Sequence, residues 1–361
     1  MMRKILIIIG TRPNFIKVTQ FKNEVKNFKN LEVIIAHTGQ HYDKNMSQVF
    51  FDQFNLRPDY FMNVKGTSVS NQIGQIIIEI DKISEQVKPD MLISVGDVNS
   101  TLCASIVANK RGIKLGHLES GLRSEDRSMP EEINRILTDE ISDHFFVTEQ
   151  SGLDNLLKEG KERSQIHFVG NTMIDTMVAF EKQIENSDIK SKIAVENGEY
   201  ILFTMHRPSN VDNKEGLIKT IDLLNRISKR KKVVFPIHPR TIQKLKHFGL
   251  FGDFDSIKNI VCLEPLDYFA FQNLISHAYV VVTDSGGIQE ETTFKQVPCI
   301  TIRNNTERPV TTEIGTNYLV EFNVDDIAKM IINGDFKNGL VPELWDGKST
   351  QRILSVINNL I

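Results

Sequence analysis

"KILIIIGTRPNFIK", residues 4–17, decides how this chain is built. Five unbroken aliphatic residues, Ile5 to Ile9, end at Gly10, which permits a sharp turn. Pro13 then suits the first turn of a helix, and Arg12 falls at that helix's amino end. A strand apolar at every position needs cover on both faces, as in a parallel sheet flanked by helices. Similar runs recur at 31–36, 91–95, 114–118, 144–148 and 166–169, with room for a helix between most neighbours. A charged, apolar-poor passage, 181–199, interrupts them, and they restart at 200–204, 232–237, 260–263, 279–283, 299–302 and 318–320. The expectation is an α/β chain of two Rossmann-like, doubly wound parallel-sheet domains in tandem. An amphipathic helix, "TQRILSVINNLI" at 350–361, follows a loop containing Gly and Pro.

With 361 residues the chain can bury two cores, and a net charge of −3 gives no electrostatic footprint for nucleic acid or an anionic membrane. The apolar start is too short for a signal peptide and no run approaches a membrane span, so a cytoplasmic protein is expected. Cys103, Cys262 and Cys299 are odd in number and set in apolar surroundings, which suits reduced core thiols.

Ligands of open α/β sheets bind beyond the carboxyl ends of the strands. After the first strand, "GTRPNFIK" leaves two readings open: an anion site at Arg12, or an ordinary turn with a surface arginine. It is neither a P-loop nor the dinucleotide fingerprint. "VVVTDSGGIQEE", 280–291, is more specific. Paired glycines after Asp284 bring backbone N–H groups close to a ligand, and a helix expected from Ile288 points its positive end there. A diphosphate on Ser285 and Gly286, with Glu291 accepting from ribose hydroxyls, is favoured over a merely capped helix.

His206 in "LFTMHRP" and His238 in "FPIHPR" stand at strand ends beside arginines, a setting for phosphate contact or proton transfer. His37 and His41 lack an acidic third ligand, and no metal site is expected there. In the first half, Asp97 follows "MLISVG" and Glu119 follows "IKLGHL", where a carboxylate points at ligand rather than water. Glu131 and Glu132 open a helix after Pro130. They read either as acids favoured by its dipole, Glu131 pairing with Arg135 at i,i+4, or as part of a carboxylate group for proton abstraction.

In their order and spacing, "GTRPNFIK", "TGQHYD", "HLESGLRS", "PEEINR", "GNTMIDT", "MHRPSN", "TDSGGIQEE" and "RNNTERPVT" make the chain resemble the non-hydrolysing UDP-N-acetylglucosamine 2-epimerases, nearly end to end. The resemblance implies a GT-B-type arrangement with an interdomain cleft. It divides the chain into a catalytic domain, 1–170, joined by helix 347–361, and a UDP-binding domain, 171–346. It implies a homodimer without cofactor or metal that interconverts UDP-N-acetylglucosamine and UDP-N-acetylmannosamine for surface polysaccharide synthesis. The C2 proton is not α to a carbonyl, so family members remove it while expelling UDP, forming 2-acetamidoglucal, and then add UDP back. Carried over by motif, Asp97, Glu119, Glu131 and His206 are catalytic. Arg12, Lys17, Arg135, His238, Ser285, Gly286, Gly287, Glu291 and Arg308 bind the UDP-sugar. The chain departs from the best-known bacterial members at Pro208-Ser209 and at "SEDRSM" before Pro130, regions that in those members lie near a second, activating UDP-N-acetylglucosamine. Relatives acting on UDP-2,3-diacetamido sugars share sequence like "MPEEINRILTD". A hydrolysing epimerase, a GT-B glycosyltransferase and a UDP-sugar sensor are the alternatives.

Overall fold

The computed structural model describes residues 2–39, 51–62, 64 and 66–361. Two compact units emerge: the chain up to Ala179 with Glu343–Ile361, and Phe180–Pro342. The first holds strands β1 (Arg3–Ile9), β2 (Leu31–His37), β3 (Tyr60–Phe61), β4 (Met91–Val95), β5 (Lys114–Leu118), β6 (His144–Val147) and β7 (Ile166–Phe168). They form one sheet in the order β3-β2-β1-β4-β5-β6-β7, every pairing parallel. The second holds β8 (Tyr200–Phe203), β9 (Lys232–Pro236), β10 (Ile260–Leu263), β11 (Val280–Thr283), β12 (Cys299–Ile302) and β13 (Asn317–Val320). Their order is β10-β9-β8-β11-β12-β13, again wholly parallel.

Both sheets are doubly wound, and the order of each reverses once, between β1 and β4 and between β8 and β11. At such a switch point the two flanking loops part and leave a crevice above the strand ends. The continuous apolar runs explain the burial: Ile5 to Ile9 and Tyr200 to Phe203 are almost wholly enclosed. Helix Val69–Val87 supplies part of the cover. Ser68 accepts the Asn71 N–H at 3.2 Å as N-cap, and Ile76, Ile80, Ile83 and Val87 fall on the buried face. Each such side chain contributes roughly 1.5–3 kcal/mol on burial. Lys88 leaves the helix in the left-handed conformation, and Pro89 stops it.

The unit boundary falls nine residues beyond the expected 170, and the second crossing lies at 342/343 instead of 346/347. Helix Thr172–Ala179 is bound into the first unit: the Thr176 hydroxyl donates to the Ile16 carbonyl at 2.5 Å. The Asp175 carboxylate accepts the Ser349 and Thr350 N–H groups at 3.0 and 2.6 Å, capping helix Ser349–Leu360. Trp345 donates its indole N–H to the Thr148 carbonyl at 2.9 Å in the same unit. Cys103 and Cys299 are buried as expected, whereas Cys262 is exposed because β10 is an edge strand. No helix among the described residues is long and apolar enough to cross a membrane.

Candidate active site

In the first unit β4 and β5 run in register, Val95 beside Leu118, so Asp97 and Glu119 leave the sheet at neighbouring points. Asn14 ties the first turn to this edge by donating to the Val95 carbonyl at 3.2 Å and accepting the Gly10 N–H at 3.3 Å. Lys17, one turn further on, forms an ion pair with Glu119, and both side chains are buried. Glu119 has φ +72°, a left-handed backbone that is strained for a non-glycine residue. The backbone turn there aims the carboxylate back at Lys17. Gly96, at φ +68°, passes beneath the pair: a Cβ there would lie 3.4 Å from Lys17 Nζ and 3.5 Å from Glu119 Oε2.

Helix Pro130–Ile141 delivers the other charges. Arg135 is nearly enclosed and reaches Asp97 Oδ2 at 2.7 Å and Glu132 Oε2 at 2.6 Å. The expected i,i+4 pair of Glu131 with Arg135 is replaced by this i,i+3 pair, because Glu132 faces inward while Glu131 is exposed. Glu132 is more than a dipole acid: its carboxylate also accepts the Ser124 and Glu125 N–H groups at 3.0–3.1 Å, fixing the loop before the helix. Asn134 donates to the Asp97 carbonyl at 2.9 Å. Lys17, Glu119, Asp97 and Arg135 are thus gathered at one edge. Arg12 is exposed on the short helix Arg12–Ile16.

In the second unit the strand-end residue Asp284 is fully buried and organises the switch point. It accepts the N–H groups of His206, at 3.1–3.2 Å, and Arg207, at 2.8 Å, and the Asn210 amide at 3.1 Å. His206 Nδ1 lies 3.0 Å from Asp284 Oδ1. Burial would raise the Asp284 carboxyl, but His206, the Arg207 N–H and Asn210 outweigh it and hold it below the usual carboxylate value. Nδ1 therefore donates to a carboxylate, leaving Nε2 of the half-exposed His206 ring facing outward. His238 accepts the Arg240 N–H on Nδ1 at 3.2 Å. Its own burial, then His206 and Arg240, lower its affinity for a proton.

The helix after β11 starts at Gly286, two residues before the expected Ile288, so Gly286 and Gly287 form its first turn. Their N–H groups are among the unpaired donors of a helix start, and Ser285, the N-cap, makes no side-chain cap bond. A Cβ on Gly286 would sit 2.9 Å from Glu307 Oε1 and 3.1 Å from Arg308 Nη1, so a side chain there would push these two charged tips aside. Arg308 is enclosed by Glu307 and by Glu290, 2.8 Å from its Nε, and lies under the glycines as counter-charge. Glu291 is buried, and that burial, with the Glu290 carboxylate adding and Gln272 opposing, pushes its carboxyl up to about 8.

Sequence reasoning missed Asp284 as an organiser, Glu132 as a loop anchor and the buried Arg303–Glu307 pair at 2.9 Å. Their signal was a charged residue inside an otherwise apolar or helical segment. His41 lies outside the described residues, as does most of "TGQHYD". Among the described residues no group of three or more His, Cys, Asp or Glu is placed to hold a metal ion.

A family model described as UDP-N-acetylglucosamine 2-epimerase matches residues 23–358. The UDP-N-acetylglucosamine 2-epimerase of Methanococcus maripaludis is 42% identical over 99% of this chain and 98% of its own length. A UDP-2,3-diacetamido-2,3-dideoxy-D-glucuronate 2-epimerase of Pseudomonas aeruginosa is 38% identical over 88% of each. The crystal structure of the Methanocaldococcus jannaschii UDP-N-acetylglucosamine 2-epimerase in complex with UDP-N-acetylglucosamine and UDP superposes with TM-score 0.88 at 40% identity, covering 99% of both chains. With the strand-end residues in their motif positions and a match across nearly the whole length, the chain belongs to the UDP-N-acetylglucosamine 2-epimerase family.

Proposed function

We propose that the chain epimerises UDP-N-acetylglucosamine at C2 to UDP-N-acetylmannosamine, by eliminating UDP to 2-acetamidoglucal and adding it back with a proton on the other face. The single observation that carries this is the end-to-end likeness, at 40% identity, to an archaeal epimerase crystallised with UDP-N-acetylglucosamine and UDP. The glycine turn with Ser285 holds the diphosphate, and Glu291 the ribose. Two opposite-face proton transfers need two acid/base groups, and Asp97, Glu119 and Glu131 are the candidates. Lys17 and Arg135 counter the charge of the carboxylates they hold, and His206 presents Nε2 to the departing phosphate. The enzyme works as a cytoplasmic homodimer and supplies activated sugar for a surface polysaccharide.

The test is to incubate the protein with UDP-N-acetylglucosamine in deuterated water and follow the sugar by proton NMR. Deuterium entering C2 together with UDP-N-acetylmannosamine is the expected result. No exchange and no new sugar, while the UDP-2,3-diacetamido sugar does exchange, moves the substrate to that class. Free N-acetylmannosamine as product makes the enzyme a hydrolysing one.

Glu291→Gln separates binding from stability. The folded-state value, about 8, is above the ordinary 4.5, so the folded protein binds an extra proton between those limits and loses stability as pH rises through them. The variant is expected to melt above the parent at pH 8.5, with the gap closing toward pH 5. Its UDP affinity should fall about tenfold, since a carboxyl that can accept ribose hydroxyls on both oxygens once ionised becomes an amide with a single acceptor oxygen. Unchanged UDP affinity in titration calorimetry would remove Glu291 from the ribose site.

A further inference from the structure

Behind the first-unit carboxylates lies a chain of charges that touches none of the candidate catalytic groups directly. His117, on β5, is wholly buried. Its Nε2 lies 2.8 Å from the Gly96 carbonyl oxygen and its Nδ1 2.6 Å from Asp139 Oδ1. Asp139, also wholly buried, accepts the Gly121 N–H at 3.0 Å on Oδ2, which lies 2.8 Å from Arg123 Nη2. Arg123 in turn grips Glu159 through Nε and Nη2 at 2.8 and 2.7 Å.

A carbonyl oxygen only accepts, so Nε2 carries a proton. On its other side Nδ1 faces Asp139, whose carboxyl burial would raise but His117, Arg123 and the Gly121 N–H hold below the usual value. The Gly96 peptide at the end of this chain is followed directly by Asp97. The Gly96 N–H donates to the Leu118 carbonyl at 3.0 Å, and Gly96 forms the wall against which Lys17 and Glu119 lie. One hydrogen bond from His117 therefore fixes the strand-end turn that places Asp97 and abuts Glu119.

We propose that His117, anchored by Asp139, is a positioning residue that sets Asp97 and Glu119 for proton transfer through its hydrogen bond to the Gly96 carbonyl. This rests on the epimerase reading for its kinetic arm only. Misplacing a reacting group by about an ångström costs on the order of a hundredfold in rate. His117→Leu removes the bond, whereas the amide of His117→Gln can still donate to Gly96.

Two measurements on the full chain test it. Long-range proton–nitrogen NMR on the resting protein should show Nε2 of His117 protonated, as its bond to the Gly96 carbonyl requires. In steady-state kinetics His117→Leu should lower kcat about a hundredfold with KM and UDP affinity within about threefold, and His117→Gln should recover about tenfold of the loss. A bare Nε2 on His117 in the parent protein overturns the proposal without bearing on the epimerase reading. So does a His117→Gln variant as impaired as His117→Leu, or a loss that falls on KM and UDP affinity together. If His117→Leu does not fold, the NMR result and the kcat of His117→Gln against the parent, expected to fall no more than about tenfold with KM held, decide it. Absence of turnover in the parent sinks the epimerase reading and leaves the nitrogen measurement to judge the bond to Gly96.

Discussion

Replacing Asp97 by asparagine is expected to reduce deuterium exchange at C2 by about 10³-fold, within the range that a positioned acid or base contributes. UDP affinity should stay within about threefold, because the residues proposed to hold the nucleotide lie in the second unit. Asparagine retains the size of the side chain and an oxygen for Arg135 Nη2, now 2.7 Å from Asp97 Oδ2. Arg135 also keeps its bond to Glu132, so the loop before helix Pro130–Ile141 stays anchored. What disappears is the capacity to take up and return a proton. The measurement is the deuterium assay beside calorimetric titration with UDP. Exchange that persists at near-parental rate assigns the two proton transfers to Glu119 and Glu131. Exchange and UDP affinity that fall together make Asp97 a structural anchor for Arg135.

The residues fit for such a test were largely legible in the sequence, and the reason is specific. Parallel strands buried on both faces write themselves as unbroken apolar runs, so twelve of the thirteen described strands coincide with runs such as 91–95 and 280–283. The thirteenth, Tyr60–Phe61, is a two-residue edge strand with too little sequence for any period. Residues that end such runs stand at the carboxyl edge, which singled out Asp97, Glu119, His206 and His238. Partnerships were not legible. Glu132 and Arg135 share a helix face, but whether Glu131 or Glu132 turns inward depends on the helix rotation, set by Thr138 and Asp139 packing beneath β5. The His117–Asp139 bond joins residues 22 apart, and the Asp284–His206 bond residues 78 apart. Neither separation has a periodic signature. The helix start at Gly286 escaped for a local reason: glycine has low helix propensity, yet its missing Cβ is what admits Glu307 and Arg308 beneath it.

Asp284→Ala is expected to cost about 3 kcal/mol or more, since each polar group left without its buried acceptor costs roughly 1–3 kcal/mol. Four polar atoms depend on this carboxylate: the N–H groups of His206 and Arg207, the Asn210 amide and His206 Nδ1. Alanine leaves them without an acceptor beside a fully buried strand end. The loop carrying His206 then loses its fixed course, and the ring loses the bond that orients it. UDP affinity and turnover should both fall by more than about a hundredfold. His206→Ala is the control: its side chain is half exposed and Asp284 keeps its backbone donors, so turnover should fall while the denaturant midpoint hardly moves. The pH dependence has a definite sign. The folded-state value of Asp284 lies below its ordinary 3.8, so its stabilisation is present above that value and is lost as pH falls through the folded-state value. The gap in midpoint between the parent and Asp284→Ala should therefore be constant near neutrality and narrow in acid below about pH 4. A full gap persisting well below that pH would mean that shape, and not the charge, holds the loop. An equal loss of stability in His206→Ala would mean that the ring, and not the backbone N–H groups, is what the carboxylate secures.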